Sequence, residues 1–432
     1  MTIRHLYPAV EPSLNLDFAN SKKLDSRITF TRGSTATYTD ESGIIRTAAA
    51  NEARFDHDSD GNSLGLLIEE SRTNYFKNSV DLGSSLTSGN AVLTSNQTTA
   101  PDNTVTATKI AETLTNVAQS KALTFNEWAT PNGSTGTANI PLVLTGFVKA
   151  GTLNRCAIAM GNGGAIISVN VNLTDGTYTQ YKWSGVSEDE ITVVPFPNGW
   201  YKVIIQAKIN YQYNRIHVFA TTNDTAPTNH AVAAYQGNGD YFYAWGFQWE
   251  VGSFPTSYIP TSGSTATRSA DVASITGTNF SSWYNQSEGT LYQDCTTRVP
   301  ATALNPDVGV GAIMTASGNV QLGFYQVLNT SNLNAVVYQT ATAYSANLSL
   351  SGAWTQNVPS KAALAYKQNS FAASADGATP QTDSSGIVPI PNALDIGQLS
   401  TFPSNHIGAG TFARLTYYPV RLPDATLQAL TL

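Results

Sequence analysis

Charge is what this chain of 432 residues has least of: Asp, Glu, Lys and Arg together make up 12%, about half the usual share. That speaks against a helical protein, whose wet faces are built from Glu, Lys and Arg. No long basic run occurs and the net charge is −7, so the electrostatic footprint of non-specific nucleic-acid binding is missing. Only two cysteines occur, Cys156 and Cys295. They lie far apart and match no metal-ligand spacing, which leaves two buried free thiols, or one disulfide. No apolar run reaches membrane-spanning length and no basic-plus-apolar segment opens the chain, so neither membrane insertion nor a signal peptide is expected. The five histidines form no HExxH and sit in no nucleophile motif. His217 lies inside an apolar strand pattern and reads as structural. Gly161-Asn162-Gly163-Gly164 reads as a hairpin rather than a phosphate-cradling loop.

What fills the gap is Thr, Ser, Asn and Gly, over a hydrophobic content of 41% that includes 10% aromatics. Such an apolar load excludes disorder. The mix predicts an all-β protein with hydroxyl-rich exposed strand faces, of the kind found outside cells and on virions. The length predicts two or three domains.

Residues 1–80 alternate short strand patterns with turns, at Leu14–Phe18, Ile28–Phe30 and Leu64–Ile68. They hold too few large apolar residues for a core of their own, and read as a docking arm or small β-platform packed on a neighbour. Residues 81–270 carry longer strands, among them Pro141–Lys149, Ala165–Leu173, Trp200–Ile209 and Tyr241–Val251. Gly, Asn and Asp turns separate them, including the hairpin turn Asp175-Gly176, which is the pattern of a β-sandwich or jelly roll. Residues 271–432 repeat the style, with a second hairpin turn at Asp376-Gly377. They end on one short helix, for which Asp424 is the expected N-cap. No short-period repeat occurs, which disfavours a solenoid or propeller.

One phrase is the most informative: Gly246-Phe247-Gln248-Trp249-Glu250-Val251 and its exit to Thr261. Phe247, Trp249 and Val251 alternate with Gln248 and Glu250, predicting one apolar face and one wet face, and Pro255 and Pro260 stop the ladder.

Three groups of segments resemble known protein modules. Leu16-Asp17-Phe18, Ile28-Thr29-Phe30-Thr31-Arg32, Thr35 to Tyr38, Arg54 to Asp58 and Gly65 to Asn74 resemble the N-terminal module of phage tail and virion-surface proteins. Gly146 to Gly151, Asn198-Gly199-Trp200-Tyr201 and the phrase from Trp249 to Arg268 are similar to the carbohydrate-binding-like jelly roll that follows that module. Gly289 to Tyr292, Arg414 to Pro419, Arg421-Leu422 and Leu427 to Leu430 resemble a concanavalin A or laminin-G-like sandwich with its closing helix. The resemblance implies a phage virion protein with a docking arm and two lectin-like sandwiches.

A sugar site needs rings that stack on a pyranose and polar groups that take its hydroxyls. Trp183, Trp200, Tyr201, Tyr211, Tyr213, Tyr241, Tyr243 and Trp245 have that setting, with core as the alternative. Trp245, Phe247 and Trp249 are expected to share one strand face in the core. Trp183, Tyr211, Tyr213, Tyr241 and Tyr243 remain as the carbohydrate-binding candidates. Asp56-His57-Asp58-Ser59-Asp60-Gly61 begins like a calcium loop, but its twelfth position is Leu67 where a bidentate Glu is needed, and Glu69 and Glu70 are out of register. A solvated hairpin turn is therefore expected, with no metal and no cofactor. Ser187-Glu188-Asp189-Glu190 reads as a solvated acidic loop.

The expected function is non-enzymatic attachment: a tail fibre or receptor-binding component on the virion surface, made in the host cytoplasm. It would contact other virion proteins through the N-terminal module, bind host surface glycans and form a homo-oligomer, a trimer being favoured. The alternatives are a capsid decoration, head-fibre or tail accessory protein, and a polysaccharide depolymerase.

Overall fold

The computed structural model describes residues 8–85, 88–114, 122–125, 140–162, 165–210, 215–224, 227, 234–300, 311–316, 319–326, 330–340, 343–399, 406–407 and 410–432. Its large sheets form two β-sandwiches. The first pairs a six-stranded sheet, in the order 186–196, 200–209, 140–150, 241–251, 107–112 and 91–98, with a second six-stranded sheet centred on 155–162, 165–172 and 215–220. Leu144, Ile158, Val169, Val203, Ile205 and Trp249 lie in the core between them. The Asp175-Gly176 turn links strands 165–172 and 178–182, which pair antiparallel as the hairpin reading requires.

The second sandwich packs an eight-stranded sheet, built around Glu288–Thr297 and Gly410–Tyr418, on a seven-stranded sheet running from Thr29–Thr31 to Ala343–Leu350. Strands from the first 80 residues belong to it. Leu14–Asp17 pairs with Gly410–Tyr418, as does Ser63–Ile68, while Thr29–Thr31 pairs with Val272–Thr276. The apolar side chains that predicted a docked arm, Leu14, Leu16, Phe18, Phe30, Leu66 and Ile68, are buried in this core. Their burial within the chain removes the physical ground on which the arm was expected to need an outside partner. Cys156 and Cys295 are free and buried, in different sandwiches.

Three short α-helices occur among the described residues. The C-terminal one spans Asp424–Leu430, but Pro423 holds the N-cap position and no side chain caps it. Asp424 instead sits in the first turn and pairs with Arg421 at 2.6 Å.

The informative phrase departs from simple alternation. At Gly246 the register of Tyr241–Val251 against Ile140–Ala150 shifts between Thr145 and Phe147, and Gly246 has φ +65°. This bulge reverses the parity of the strand. Trp245 therefore lies on the outer face with Tyr243, packed on Phe147, Trp200 and Tyr258, whereas Phe247 and Trp249 enter the core. All three are buried, but they do not share a face. The Gln248 and Glu250 face is not wet either: both are fully buried. The chain after Gly252 folds back over them, so that Ile259 N donates to Gln248 Oε1 at 2.6 Å and Thr256 N to Glu250 Oε2 at 3.1 Å. Asn74 threads the same knot, its Oδ1 accepting from Trp249 N at 3.0 Å and its Nδ2 donating to Ile259 O at 2.8 Å.

Beside this fold-back lies a buried charged cluster. Glu69 meets Arg54 at 2.8 Å, Arg268 at 3.1 Å and Arg298 at 3.0 Å. Asp271 takes Arg54 at 2.5 Å and Arg32 at 3.0 Å, and Arg298 also holds Asp56 at 2.5 Å. Ser257 donates to Glu69 from both its N, at 2.8 Å, and its Oγ, at 2.6 Å. Burial alone would raise the Glu69 pKa, but the charges of Arg268, Arg54 and Arg298 outweigh it and hold the carboxyl far below the usual range.

Two outcomes follow. Gly246→Ala puts a side chain at a left-handed backbone position with Phe147 Cδ2 3.1 Å from the new Cβ, and should cost about 1–3 kcal/mol of stability in denaturant titration. Glu69→Gln leaves the guanidiniums without their shared counter-charge and should cost about 3–5 kcal/mol. Because the folded Glu69 pKa lies below its unfolded value of about 4.3, its stabilisation is complete above that pH and drains away on further acidification. The variant should lose this part of the wild-type acid slope, as read by unfolding midpoints from pH 7 down to pH 3.

Candidate functional site

The outer face of the eight-stranded sheet carries a groove of about 450 Å³. Its floor is a consequence of strand parity. In Glu288–Thr297, Leu291 and Cys295 face the core, so Tyr292 and Asp294 face out; in Gly410–Tyr418, Leu415 and Tyr417 face in, so Arg414, Thr416 and Tyr418 face out. The register sets Asp17, Arg414, Asp294 and Lys361 side by side across four strands, a row of alternating sign. The neighbouring row holds Asn15, Thr416, Tyr292 and Ala363. The C-terminal helix covers the adjoining patch of small side chains, where Leu427 packs with Ala363, Ala365 and Ala372, and Ala429, Leu430 and Leu432 form one wall.

The polar groups here are fixed unequally. Arg414 Nη2 holds Asp17 Oδ2 at 2.6 Å and Thr416 Oγ1 donates to Asn15 Oδ1 at 3.2 Å. Lys361 Nζ donates to the backbone oxygen of Leu432. Asp294 makes no hydrogen bond or ion pair among the described residues. Burial raises its pKa above the ordinary carboxylate value, with the charges of Lys361 and Arg414 opposing the rise. The rings of Tyr292 and Tyr418 line the groove but are each only 8% exposed. The arrangement offers a ring-lined trough with a carboxylate, a guanidinium and an ammonium on its floor, which suits reversible binding of a hydroxylated ligand.

The candidates named from sequence lie elsewhere. Tyr241 and Tyr243 are half-buried on the outer face of the first sandwich, edge to face with centroids 5.4 Å apart, and Lys109 Nζ sits 4.0 Å over the Tyr241 ring. In register, Tyr243 is flanked by Lys109 and Lys149. Trp183 is half-buried just beyond strand 178–182, its N donating to Ile166 O at 2.9 Å, and so belongs to the opposite sheet of the first sandwich from Tyr241–Val251. The structure therefore does not gather these residues into one site. Tyr211 and Tyr213 lie outside the described residues. Trp200 and Trp245 are core, their indole nitrogens donating to Thr99 O at 3.2 Å and Thr106 Oγ1 at 3.0 Å, while Tyr201 is half-buried.

The Asp56–Gly61 segment divides in two. Asp58 to Asn62 form the exposed turn, with Asp58 Oδ1 accepting from Asp60 N at 2.9 Å and Asn62 N at 2.8 Å. Asp56 and His57 are buried rather than solvated, Asp56 as a member of the arginine cluster. Among the described residues no group of three or more His, Cys, Asp and Glu is placed to hold a metal ion. No helix among them is long and apolar enough to cross a membrane.

No family model and no curated protein sequence matches the chain. Partial likeness to solved structures is found. The Ruminococcus gnavus IT-sialidase CBM40 bound to α2,3 sialyllactose aligns at 16% identity and a TM-score of 0.29, over 34% of this chain and 84% of that one. A SAP-like pentraxin from Limulus polyphemus aligns at 13% identity and a TM-score of 0.26, over 33% and 68%. A Trypanosoma rangeli sialidase in complex with sialic acid aligns at 11% identity and a TM-score of 0.28, over 76% and 60%. Likeness at this level assigns neither a family nor a ligand to the chain.

Sequence reasoning passed over the groove. The signal was present: in a chain so poor in charge, Asp294 and Arg414 alternate with core residues in strands, placing charge on the outer face of a sheet. Asp294 is a partly buried carboxylate whose desolvation outweighs the charges of Lys361 and Arg414 beside it. Asp294→Asn should raise the thermal unfolding midpoint at pH 7. Since the folded pKa lies above the unfolded value of about 3.9, the charged form is disfavoured by folding only above that pH. The gain should shrink as the pH falls through the folded pKa towards about 4 and be absent below it.

Proposed function

We propose that this chain is a non-enzymatic surface protein of a phage virion, a tail-fibre or receptor-binding component that attaches to glycans of the host envelope. The observation that carries the reading is the groove over Tyr292, Asp294, Arg414 and Lys361. A pyranose presents hydroxyl rims that ask for fixed charged and amide partners, and the floor of this groove supplies them in a row. The two sandwiches give a rigid platform on which such a site is held by strands rather than by loops. Each site would bind weakly, and several copies on one particle would turn weak contacts into firm attachment. The virion assignment is supported by the sequence resemblance of residues 16–74 and 246–268 to phage surface modules. A homo-oligomer, with a trimer favoured, and contacts to other virion proteins through the N-terminal segment are part of the same proposal.

The test is a glycan array of host envelope polysaccharides probed with the purified chain, together with antibody-gold labelling of intact virions. Binding to at least one polysaccharide is expected, weakened at least tenfold in both Asp294→Asn and Arg414→Gln while their unfolding midpoints stay at or above wild type for the first and near it for the second. Gold is expected at the distal tail. A chain that binds no glycan and labels the head instead is a capsid decoration protein, and the attachment reading is then wrong. Reducing sugar released from the polysaccharide would overturn the non-enzymatic part.

A further inference from the structure

The first sandwich carries a cationic, aromatic row of its own, on the outer face of the six-stranded sheet that contains Tyr241–Val251. Phe242 and Ala244 enter the core, so Tyr241 and Tyr243 face out; Ile110 and Val148 enter it, so Lys109 and Lys149 face out beside them. Register sets Thr94, Lys109, Tyr243, Lys149 and Trp200 in one row across five strands. The two lysines flank Tyr243, their backbones two strands apart, or about 10 Å at the usual spacing. Trp200 is buried, Lys109, Tyr241, Tyr243 and Lys149 are half-buried, and Thr94 is exposed. Rings hold both ammoniums in place: Lys109 Nζ sits 4.0 Å over the Tyr241 ring and Lys149 Nζ 5.9 Å over that of Trp200. Tyr241 is wedged in turn, since a Cβ at Gly151 would lie 2.5 Å from its ring.

No carboxylate answers this pair. Neither lysine makes an ion pair or a hydrogen bond among the described residues. The acids of the loops that cap Trp200 are engaged locally: Asp40 with Arg46 at 2.6 Å, and Asp102 with Thr104 N at 3.0 Å and Thr104 Oγ1 at 2.6 Å. The acids of strand Val186–Phe196, Glu188 and Glu190, lie toward the other end of the sheet, where they meet Lys208 and Gln206. A ring contact positions an ammonium without neutralising it, and leaves its N–H donors unspent. In a chain of net charge −7, the row is thus a local field of the opposite sign, with an aromatic residue at its centre.

We propose that this face binds an acidic polysaccharide in which charged and neutral rings alternate, laid across the strands. One carboxylate rests on Lys109, the next on Lys149, and the neutral ring between them on Tyr243. Charge complementarity to the two ammoniums calls for the carboxylates, Tyr243 for a sugar face, and the register, which places one uncharged aromatic residue between two cations, for the alternation. An acidic peptide would answer the ammoniums alone. The site lies on the other sandwich from the groove and does not depend on it.

Isothermal titration of the full chain with a hyaluronan hexasaccharide, chitohexaose and a hexaglutamate peptide tests it. In the first every second ring carries a carboxylate, in the second none does, and the third has charge without sugar. Hyaluronan should bind at least tenfold more tightly than either of the others, and more weakly at physiological than at low salt. Lys109→Met and Lys149→Met should each weaken it several-fold and together at least tenfold, with unfolding midpoints near wild type, since neither ammonium leaves an acid behind. Lys208→Met removes the same charge from the other end of the face and should leave the affinity unchanged. The proposal is overturned if hyaluronan does not bind, if chitohexaose or the peptide binds as well, if the double variant binds normally, or if Lys208→Met weakens binding as much, which would make the effect one of net charge. Should the double variant not fold, Tyr243→Ser takes its place: it should weaken hyaluronan several-fold, and unchanged affinity overturns the site.

Discussion

One carboxylate shared by three guanidiniums fixes the relation between the parts of this chain. Glu69 cannot be buried unpaired, and its partners Arg54, Arg268 and Arg298 come from segments far apart in sequence. All of them must arrive together, and with them Asp271, Arg32 and Asp56. A protein with few charges has thus drawn several of them into a single buried knot. Ion pairs of this kind add little net stability over an apolar packing, yet breaking one is severe, because the partner left behind is a bare charge out of water. The knot therefore acts mainly through what it forbids: arrangements in which the N-terminal strands, the fold-back after Gly252 and the start of the second sandwich are out of register.

Both concave sites take their character from where that knot lies. A cleft of about 230 Å³ between the two sandwiches, walled by Phe147, Phe196 and Tyr258, adjoins it, and Asp56 and Arg298 belong to both. The groove lies on the outer face of the second sandwich's eight-stranded sheet, where strand pairing sets charges of alternating sign in a row along its floor. One site is a confined space beside buried ion pairs, the other an open row of alternating charge beside Tyr292 and Tyr418.

The sequence made the fold class readable because short apolar strand patterns separated by Gly, Asn and Asp turns recur along the chain, and Phe247, Trp249 and Val251 do face a core. It misled where a single backbone irregularity changes parity: Gly246 looks like any glycine at a strand end, but its bulge sends Trp245 to the opposite face. It misled again where polar residues are buried by tertiary partners. Gln248 and Glu250 read as a wet face because nothing local reveals that residues 254–259 fold back onto them. Asp56 read as part of a turn because Arg298, which claims it, is hundreds of positions away. The groove was hidden for the same reason, since its row of charges is assembled by cross-strand register between distant strands. Aromatic residues drew attention in their place; of these Trp200 and Trp245 are packing, while Trp183, Tyr201, Tyr241 and Tyr243 are half-buried.

The pairing of Leu14–Asp17 with Gly410–Tyr418 has a consequence for how the protein is made. The first strand leaves the ribosome long before its partner exists, and at about 5–20 residues per second it waits roughly 20–80 s. Through that interval Leu14, Leu16 and Phe18 have no native surface to cover them, while the first sandwich, whose strands lie between residues 88 and 251, can already close on itself. Assembly is therefore ordered from the middle of the chain outward, and the two ends meet last.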